Sequence, residues 1–111
     1  MKQFALLFYL DISSENQPDE TTMASYMRDW NAWTTELSAS GKLQGGNHFG
    51  PQAATIQSDG SISYKPVSNL NLSIAGYLVI GATDLTEAMQ AAQKCPILKG
   101  EGNWVEVREI A

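Results

Sequence analysis

The sequence predicts an α+β fold in which a mainly antiparallel sheet carries two helices on one face. Three observations predict it: two long apolar runs typical of strands, two stretches with apolar residues at helical spacing, and an alternating run near residue 110. A chain of 111 residues is expected to form one domain over residues 1–111. The composition, 43% hydrophobic and 17% charged, is that of a globular rather than a disordered protein.

The first two predicted elements are a strand and a long helix. Phe4–Leu10 is a continuous apolar run with aromatic side chains, which indicates a strand covered on both faces. A polar loop over residues 11–20 follows. Apolar residues then recur at helical spacing and form a stripe along one side of a helix; they are Met23, Tyr26, Met27, Trp30, Trp33 and Leu37. Gly41 is a suitable residue to end this helix.

A turn and a hairpin are expected in the middle of the chain. Residues 43–50, "LQGGNHFG", are rich in glycine and contain the only histidine, so they are predicted to form a turn. Two short strands are predicted at residues 53–58 and 61–66. Asp59-Gly60 between them is typical of a two-residue type I′ turn, in which both residues have positive φ.

The remaining elements are a second buried strand, a second helix and an edge strand. Ala75–Ala82 is apolar throughout. Asp84 is then placed as an N-cap, with Glu87 three residues later, and helical spacing continues until Pro96 prevents further helix. Trp104–Ile110 alternates apolar and polar residues, as an exposed edge strand does.

This order of elements predicts a ferredoxin-like α+β sandwich built from two strand–helix–strand units. Two helices cover only one face of such a sheet, yet two of the strands are apolar on both faces. A second copy of the same sheet is the simplest cover for the other face, so we expect a homodimer.

Charge and cysteine content argue against several classes of partner. The net charge is −5 and the seven lysines and arginines are scattered, whereas a nucleic-acid binder needs them clustered. The apolar run after Met1 is too short to span a bilayer and lacks a cleavage site, so we expect neither a membrane anchor nor a signal peptide. One cysteine cannot form an internal disulfide, which suits the cytoplasm.

A family resemblance rests on several stretches taken in order. They are "FALLFY", "MASYMRDWNAWTTELSASGKLQGG" and "IAGYLVIGATDLTEAMQAAQKCPIL", followed by "NWVEVREI". Together they cover nearly the whole chain, which resembles the YCII-related family in its DGPF-domain branch. The resemblance implies a ferredoxin-like protomer that pairs as a dimeric α/β barrel.

The chain departs from that family where the family carries its motifs. The Asp-Gly-Pro-Phe tetrapeptide should fall at residues 64–67, which read "YKPV" and keep only the proline. In the other branch, an early histidine and an aspartate before a proline form a catalytic pair. Here no histidine lies in or directly after the first strand, and Cys95 precedes Pro96. The resemblance therefore implies a fold and transfers no catalytic residue.

The candidate catalytic residues are His48 and Asp11. Histidine exchanges protons near neutral pH, and the glycines around His48 would let a ligand approach backbone amides. A general base also needs an orienting partner, and Asp11 at the end of the first strand is the residue we would test. The alternative is that His48 is simply a polar residue in an irregular turn.

The candidate ligand-binding residues are Tyr26, Trp30 and Trp33, which could line an aromatic pocket. At helical spacing such residues are more often core residues. Both interpretations can hold together, because a cleft between helix and sheet would be walled by the same side chains. Cys95 is interpreted as a small core residue. One histidine and one cysteine cannot close a zinc site, and no dinucleotide fingerprint is present, so no metal or cofactor is predicted.

Three functions remain open at this point. The first is a homodimer that binds a small organic molecule or acts in regulation, without chemistry of its own. The second is a cofactor-independent enzyme on a small organic substrate, with His48 as acid and base. The third follows from the resemblance, which implies a protein-interaction module associated with transcription-initiation (sigma) factors, with residues 68–73 as the partner surface.

Overall fold

The protein was analysed as a computed structural model, which describes residues 1–13 and 18–111. Residues 14–17 of the predicted polar loop lie outside the described part. The elements follow one another as β1 (Lys2–Asp11), α1 (Glu20–Ala39), β2 (Leu43–His48), β3 (Thr55–Ile56), β4 (Ile62–Ser63), β5 (Ser68–Asn69), β6 (Leu72–Ala82), α2 (Leu85–Ala92), a 3₁₀ turn (Pro96–Lys99) and β7 (Trp104–Glu109). The chain is therefore α+β, as predicted.

The main sheet is antiparallel, with the strand order β2-β6-β1-β7, and β5 pairs with the start of β6. This order is compatible with a ferredoxin-like fold. The two apolar runs, β1 and β6, lie in its centre, and the alternating run, β7, lies at an edge. The prediction of two central strands and one edge strand is confirmed.

The core lies between one face of this sheet and the two helices. Phe4, Leu6 and Phe8 point to this face from β1, and Leu78 and Ile80 do so from β6. The helices supply the opposing layer; its buried members are Trp33, Leu37, Ala88, Ala91 and Ala92. Small alanines in α2 let that helix approach the sheet closely.

Both helices begin at an aspartate that caps their first turn. The Asp19 carboxylate accepts a hydrogen bond from the backbone N–H of Thr22 at 2.7 Å, which lowers the pKa of Asp19. The Asp84 carboxylate accepts from the N–H of Glu87 at 2.9 Å, as predicted. Gly41, with φ +74°, follows the last turn of α1 and ends it as expected.

The glycine-rich stretch forms an edge strand, so the prediction of a turn over residues 43–50 is wrong. β2 pairs with β6 from Leu43↔Ile80 to His48↔Gly76, with a bulge after Leu43. Gly46 has φ +144°, and a Cβ there would meet the carbonyl oxygen of Tyr77 and lie 2.8 Å from the Cα of Leu78. Glycine allows the close approach that pairing requires.

The hairpin of β3 and β4 exists, but its strands are shorter than predicted and its turn differs. Gly60 has positive φ whereas Asp59 does not, so the turn is not type I′. The N–H of Gly60 bonds the carbonyl of Gln57, and the Asp59 carboxylate accepts from the N–H of Ser61. The two-residue turn with both φ values positive is instead at Leu70-Asn71, between β5 and β6.

The second face of the sheet is apolar, and α1 and α2 both pack on the opposite, core face. Ala5, Leu7 and Tyr9 of β1 lie here, and register places Val79 and Tyr77 of β6 beside them. All five are only half-buried, in contrast to the residues of the core face. On β7, Trp104 is 49% exposed and packs edge-on against Tyr9, whose hydroxyl donates to Glu106. We call this surface the second sheet face.

Within residues 1–13 and 18–111, neither helix combines the length and the hydropathy that crossing a bilayer requires.

Candidate functional site

The candidate site is a cavity of about 710 Å³ between α1, the sheet and the segments that follow β2 and the 3₁₀ turn. Its volume lies within the range of small-molecule sites, about 300–1,000 Å³. Its wall is mostly apolar or aromatic and includes Phe8, Met23, Tyr26, Met27, Trp30 and Phe49. Its polar members include Asp11, His48, Ser73, Glu101 and Asn103.

An aromatic cluster forms one wall of this cavity. The rings of Phe8 and Trp30 meet edge to face with centroids 5.0 Å apart, and the His48 ring lies tilted 5.1 Å from Trp30. These contacts hold the Trp30 indole in one orientation. Helix α1, strand β1 and strand β2 thus each contribute one ring to this cluster.

Trp33 does not line the cavity. Its side chain is 5% exposed, packs against Phe8 and Trp30, and donates its indole N–H to the carbonyl of Ala91 at 3.2 Å. Of the three residues predicted to bind a ligand, Tyr26 and Trp30 form the wall and Trp33 supports it from the core. Trp33 thus takes the core position that helical spacing also allowed, whereas Tyr26 and Trp30 line the cavity.

His48 is the last residue of β2 and is exposed on the cavity wall. Phe49, the next residue, continues the pairing through its N–H, which bonds the carbonyl of Ala75. In the described part of the chain, the His48 imidazole has a ring contact with Trp30 but neither a hydrogen bond nor an ion pair. Among the described residues, this tilted ring contact with Trp30 is what positions the imidazole.

Asp11 lies at another part of the same cavity, at the end of β1. Its N–H donates to the side-chain carbonyl of Asn103 at 2.8 Å, and its carboxylate accepts from the N–H of Ser13 at 2.7 Å. Asn103 also donates its amide to the carbonyl of Ile97 at 3.2 Å. Asn103 therefore ties the segment after the 3₁₀ turn to the end of β1.

The two candidate catalytic residues line one cavity without contacting each other. Phe8 and His48 lie opposite Gly76 on either side of β6, and Asp11 lies three residues beyond Phe8. With about 3.3 Å per residue and about 4.8 Å between strands, the Cα atoms of Asp11 and His48 are roughly 14 Å apart. Asp11 is too distant to orient the imidazole, although one ligand could contact both side chains.

Glu101 and Asn103 both line the cavity, although the sequence did not predict either as a site residue. They follow the 3₁₀ turn and reach the site only because β7 pairs beside β1. The sequence signal was weak: "KGEGN" at residues 99–103 is a turn-forming stretch next to an edge strand. Ser73 lines the cavity too, but its hydroxyl is already used, since it donates to the carbonyl of Val67.

Other reactive groups lie away from the cavity. Cys95 is buried in the core, and burial raises the pKa of its thiol to about 11. Among residues 1–13 and 18–111, no three histidine, cysteine or acidic side chains come together in a way that could hold a metal ion.

Neither protein-family models nor curated proteins give a match to this chain.

Proposed function

We propose that the protein is a homodimer that binds a small organic molecule in the cavity beside α1. The observation that carries this proposal is the combination of volume and lining: about 710 Å³ bounded on one side by an aromatic cluster, with a small number of polar groups. Sites for small molecules have this composition, because apolar walls supply affinity and few polar groups supply orientation.

We favour binding over catalysis because Asp11 does not contact the His48 imidazole. A general base needs a partner that fixes its tautomer and direction, and the Asp11 carboxylate is too far away to serve. The alternative of a cofactor-independent enzyme retains one supporting observation, which is that the imidazole lies on the cavity wall with its nitrogens unbonded in the described part of the chain.

The homodimer is supported by the second sheet face. Leu7, Tyr9, Tyr77, Val79 and Trp104 form an apolar surface that a single chain leaves accessible. A hollow of about 860 Å³ on this side is lined by Tyr9 and Trp104, and it shares four wall residues with the cavity; these are Phe49, Pro66, Ser73 and Ile74. A second copy seated there would therefore lie next to the ligand.

The position of the three tryptophans provides a direct test. Only Trp30 lines the cavity, whereas Trp33 is in the core and Trp104 is on the second sheet face. A set of one-ring and two-ring aromatic compounds would be titrated while tryptophan emission is recorded. We expect quenching in the wild type and in Trp104→Phe, and loss of most of the quenching in Trp30→Phe.

The same titration separates the two candidate functions. A quenching compound that is recovered chemically unchanged supports the binding protein. A product that forms with the wild type but not with His48→Gln supports the enzyme. If quenching survives in Trp30→Phe and disappears in Trp104→Phe, the ligand occupies the second sheet face and the cavity is not the site.

A further inference from the structure

The charged residues of the cavity wall are acidic, His48 apart. Asp11 and Glu101 line it, whereas none of the seven lysines and arginines does, and all seven lie in the described part of the chain. An anionic ligand would enter beside two carboxylates with no lysine or arginine to compensate its charge. Juxtaposed like charges weaken binding and suppress such partners.

The two acidic residues lie next to each other on the cavity wall. A Cβ built at Gly102 would be 3.3 Å from an Asp11 carboxylate oxygen, so Glu101, the preceding residue, is adjacent to the end of β1. Asn103 fixes this arrangement through its bonds to the Asp11 N–H and the Ile97 carbonyl. The Tyr26 hydroxyl is near the same end, since a Cβ at Gly100 would lie 3.1 Å from it.

The rest of the wall is suited to a flat apolar group. Trp30 is held between Phe8 and His48, and Met23 and Met27 of α1 extend the apolar lining. The faces of aromatic rings carry partial negative charge and attract cations. The aromatic wall therefore offers no attraction to an anion, and the acidic end favours a positive ligand charge over a negative one.

We propose that the occupant is an arylalkylamine, an aromatic ring carrying an amine on a short alkyl chain, in its cationic form, with its ring against Trp30 and His48 and its ammonium group toward Glu101 and Asp11. This inference rests on the proposed function, because it names the class of molecule for that same cavity. It predicts discrimination by charge between molecules of one shape.

Three probes of nearly equal size test this discrimination: 2-phenylethylamine, 2-phenylethanol and 3-phenylpropanoate. Each would be titrated near neutral pH into isotope-labelled protein, and amide and indole resonances followed by NMR. We expect the amine to bind about fivefold more tightly than the alcohol, the scale of one partly exposed charge pair, and the carboxylate to bind most weakly. The amine's advantage should shrink at high salt, where screening shortens the range of charge interactions.

Two substitutions locate the source of the preference. Glu101→Gln should remove most of the difference between amine and alcohol. Glu109→Gln is the matched control, because it changes the net charge equally but lies at the far end of β7, where Glu109 pairs with Lys2 at 3.3 Å. It should leave the preference unchanged.

The outcomes separate this inference from the function on which it rests. If the alcohol or the carboxylate binds at the cavity as well as the amine, the cavity binds small molecules but the cationic class is wrong. A preference that Glu109→Gln abolishes and Glu101→Gln does not, or amine-induced shifts that lie outside the cavity, would also overturn the inference. If none of the three probes shifts the Trp30 indole resonance at tens of millimolar, the proposed binding function fails as well.

Discussion

The thiol of Cys95 is 2% exposed, among core side chains beneath the end of α2. Burial disfavours the charged thiolate and raises the pKa of Cys95 from 9.0 to about 11. A thiol reacts through its thiolate, so this cysteine is protected both by access and by charge. The sequence-based interpretation of Cys95 as a core residue is confirmed by its burial.

We expect native Cys95 to resist alkylation by iodoacetamide near pH 8 and to react fully in denaturant, as measured by mass spectrometry.

The raised pKa of Cys95 also makes the stability of the protein depend on pH. Since the folded pKa is raised above 9.0, the contribution to stability is complete below that pH and is lost as pH rises toward about 11. Cys95→Ala should lack this alkaline loss in denaturant titrations. Rapid alkylation of native Cys95 would contradict both its placement in the core and this pH dependence.

Trp30 and Trp33 illustrate why site residues are harder to predict than helices. Three residues along a helix correspond to a rotation of about 300°, so the two side chains differ by only about 60° around the axis. The helical stripe identified both as inward-facing. Which of them faces a cavity and which the core depends on α2, whose Ala91 accepts the Trp33 indole hydrogen bond. That partner is distant in sequence and leaves no local signal.

At the scale of single elements, β2 is the clearest departure from the sequence-based prediction. Its glycines suppress the alternation by which strands are recognised, and glycine is rare in strand interiors. The reason for them is visible only in the paired sheet: Gly46 needs φ +144°, and its Cα faces the backbone of Tyr77 and Leu78. By contrast, β1, β6, β7 and α1 have strong patterns and were predicted correctly.

Gly46→Ala should destabilise the protein by about 2 kcal/mol, because the added methyl group meets backbone atoms that cannot move aside and the residue keeps positive φ. Gly45→Ala is the control, since nothing lies within 4 Å of a Cβ at that position and its φ is not positive. Urea unfolding followed by circular dichroism measures both. Equal stabilities of the two variants would show that β2 is not held this closely to β6.

For the whole molecule, the accessible second sheet face is the feature that predicts a partner. The patterning of β1 predicted both apolar faces, but the covering partner is absent from a single chain, so the homodimer stays a prediction. On the second sheet face, the residues of β1 and β6 are half-buried by their neighbours and Trp104 of β7 is exposed, so this surface is accessible to a partner.

Leu7→Glu should convert the dimer to a folded monomer. Leu7 lies between Tyr77 and Glu106 on the second sheet face, so a carboxylate there is solvated in the monomer but buried against the partner in the dimer. Ala32→Glu, on an exposed position of α1, is the matched charge control. Light scattering gives the mass and circular dichroism the fold. A wild type that is monomeric at all concentrations would remove the homodimer from the proposal.

The strand order β2-β6-β1-β7 also has a consequence for biosynthesis. β1 is made before both of its partners, and neither β6 nor β7 can pair with it until residues 72–82 and 104–109 have been added. During that interval the apolar strand β1 stays unpaired. The strands that pair with it are distant in sequence, and such long-range pairing slows folding and favours aggregation. A nascent chain stalled before residue 72 should therefore depend on chaperones more strongly than the completed one.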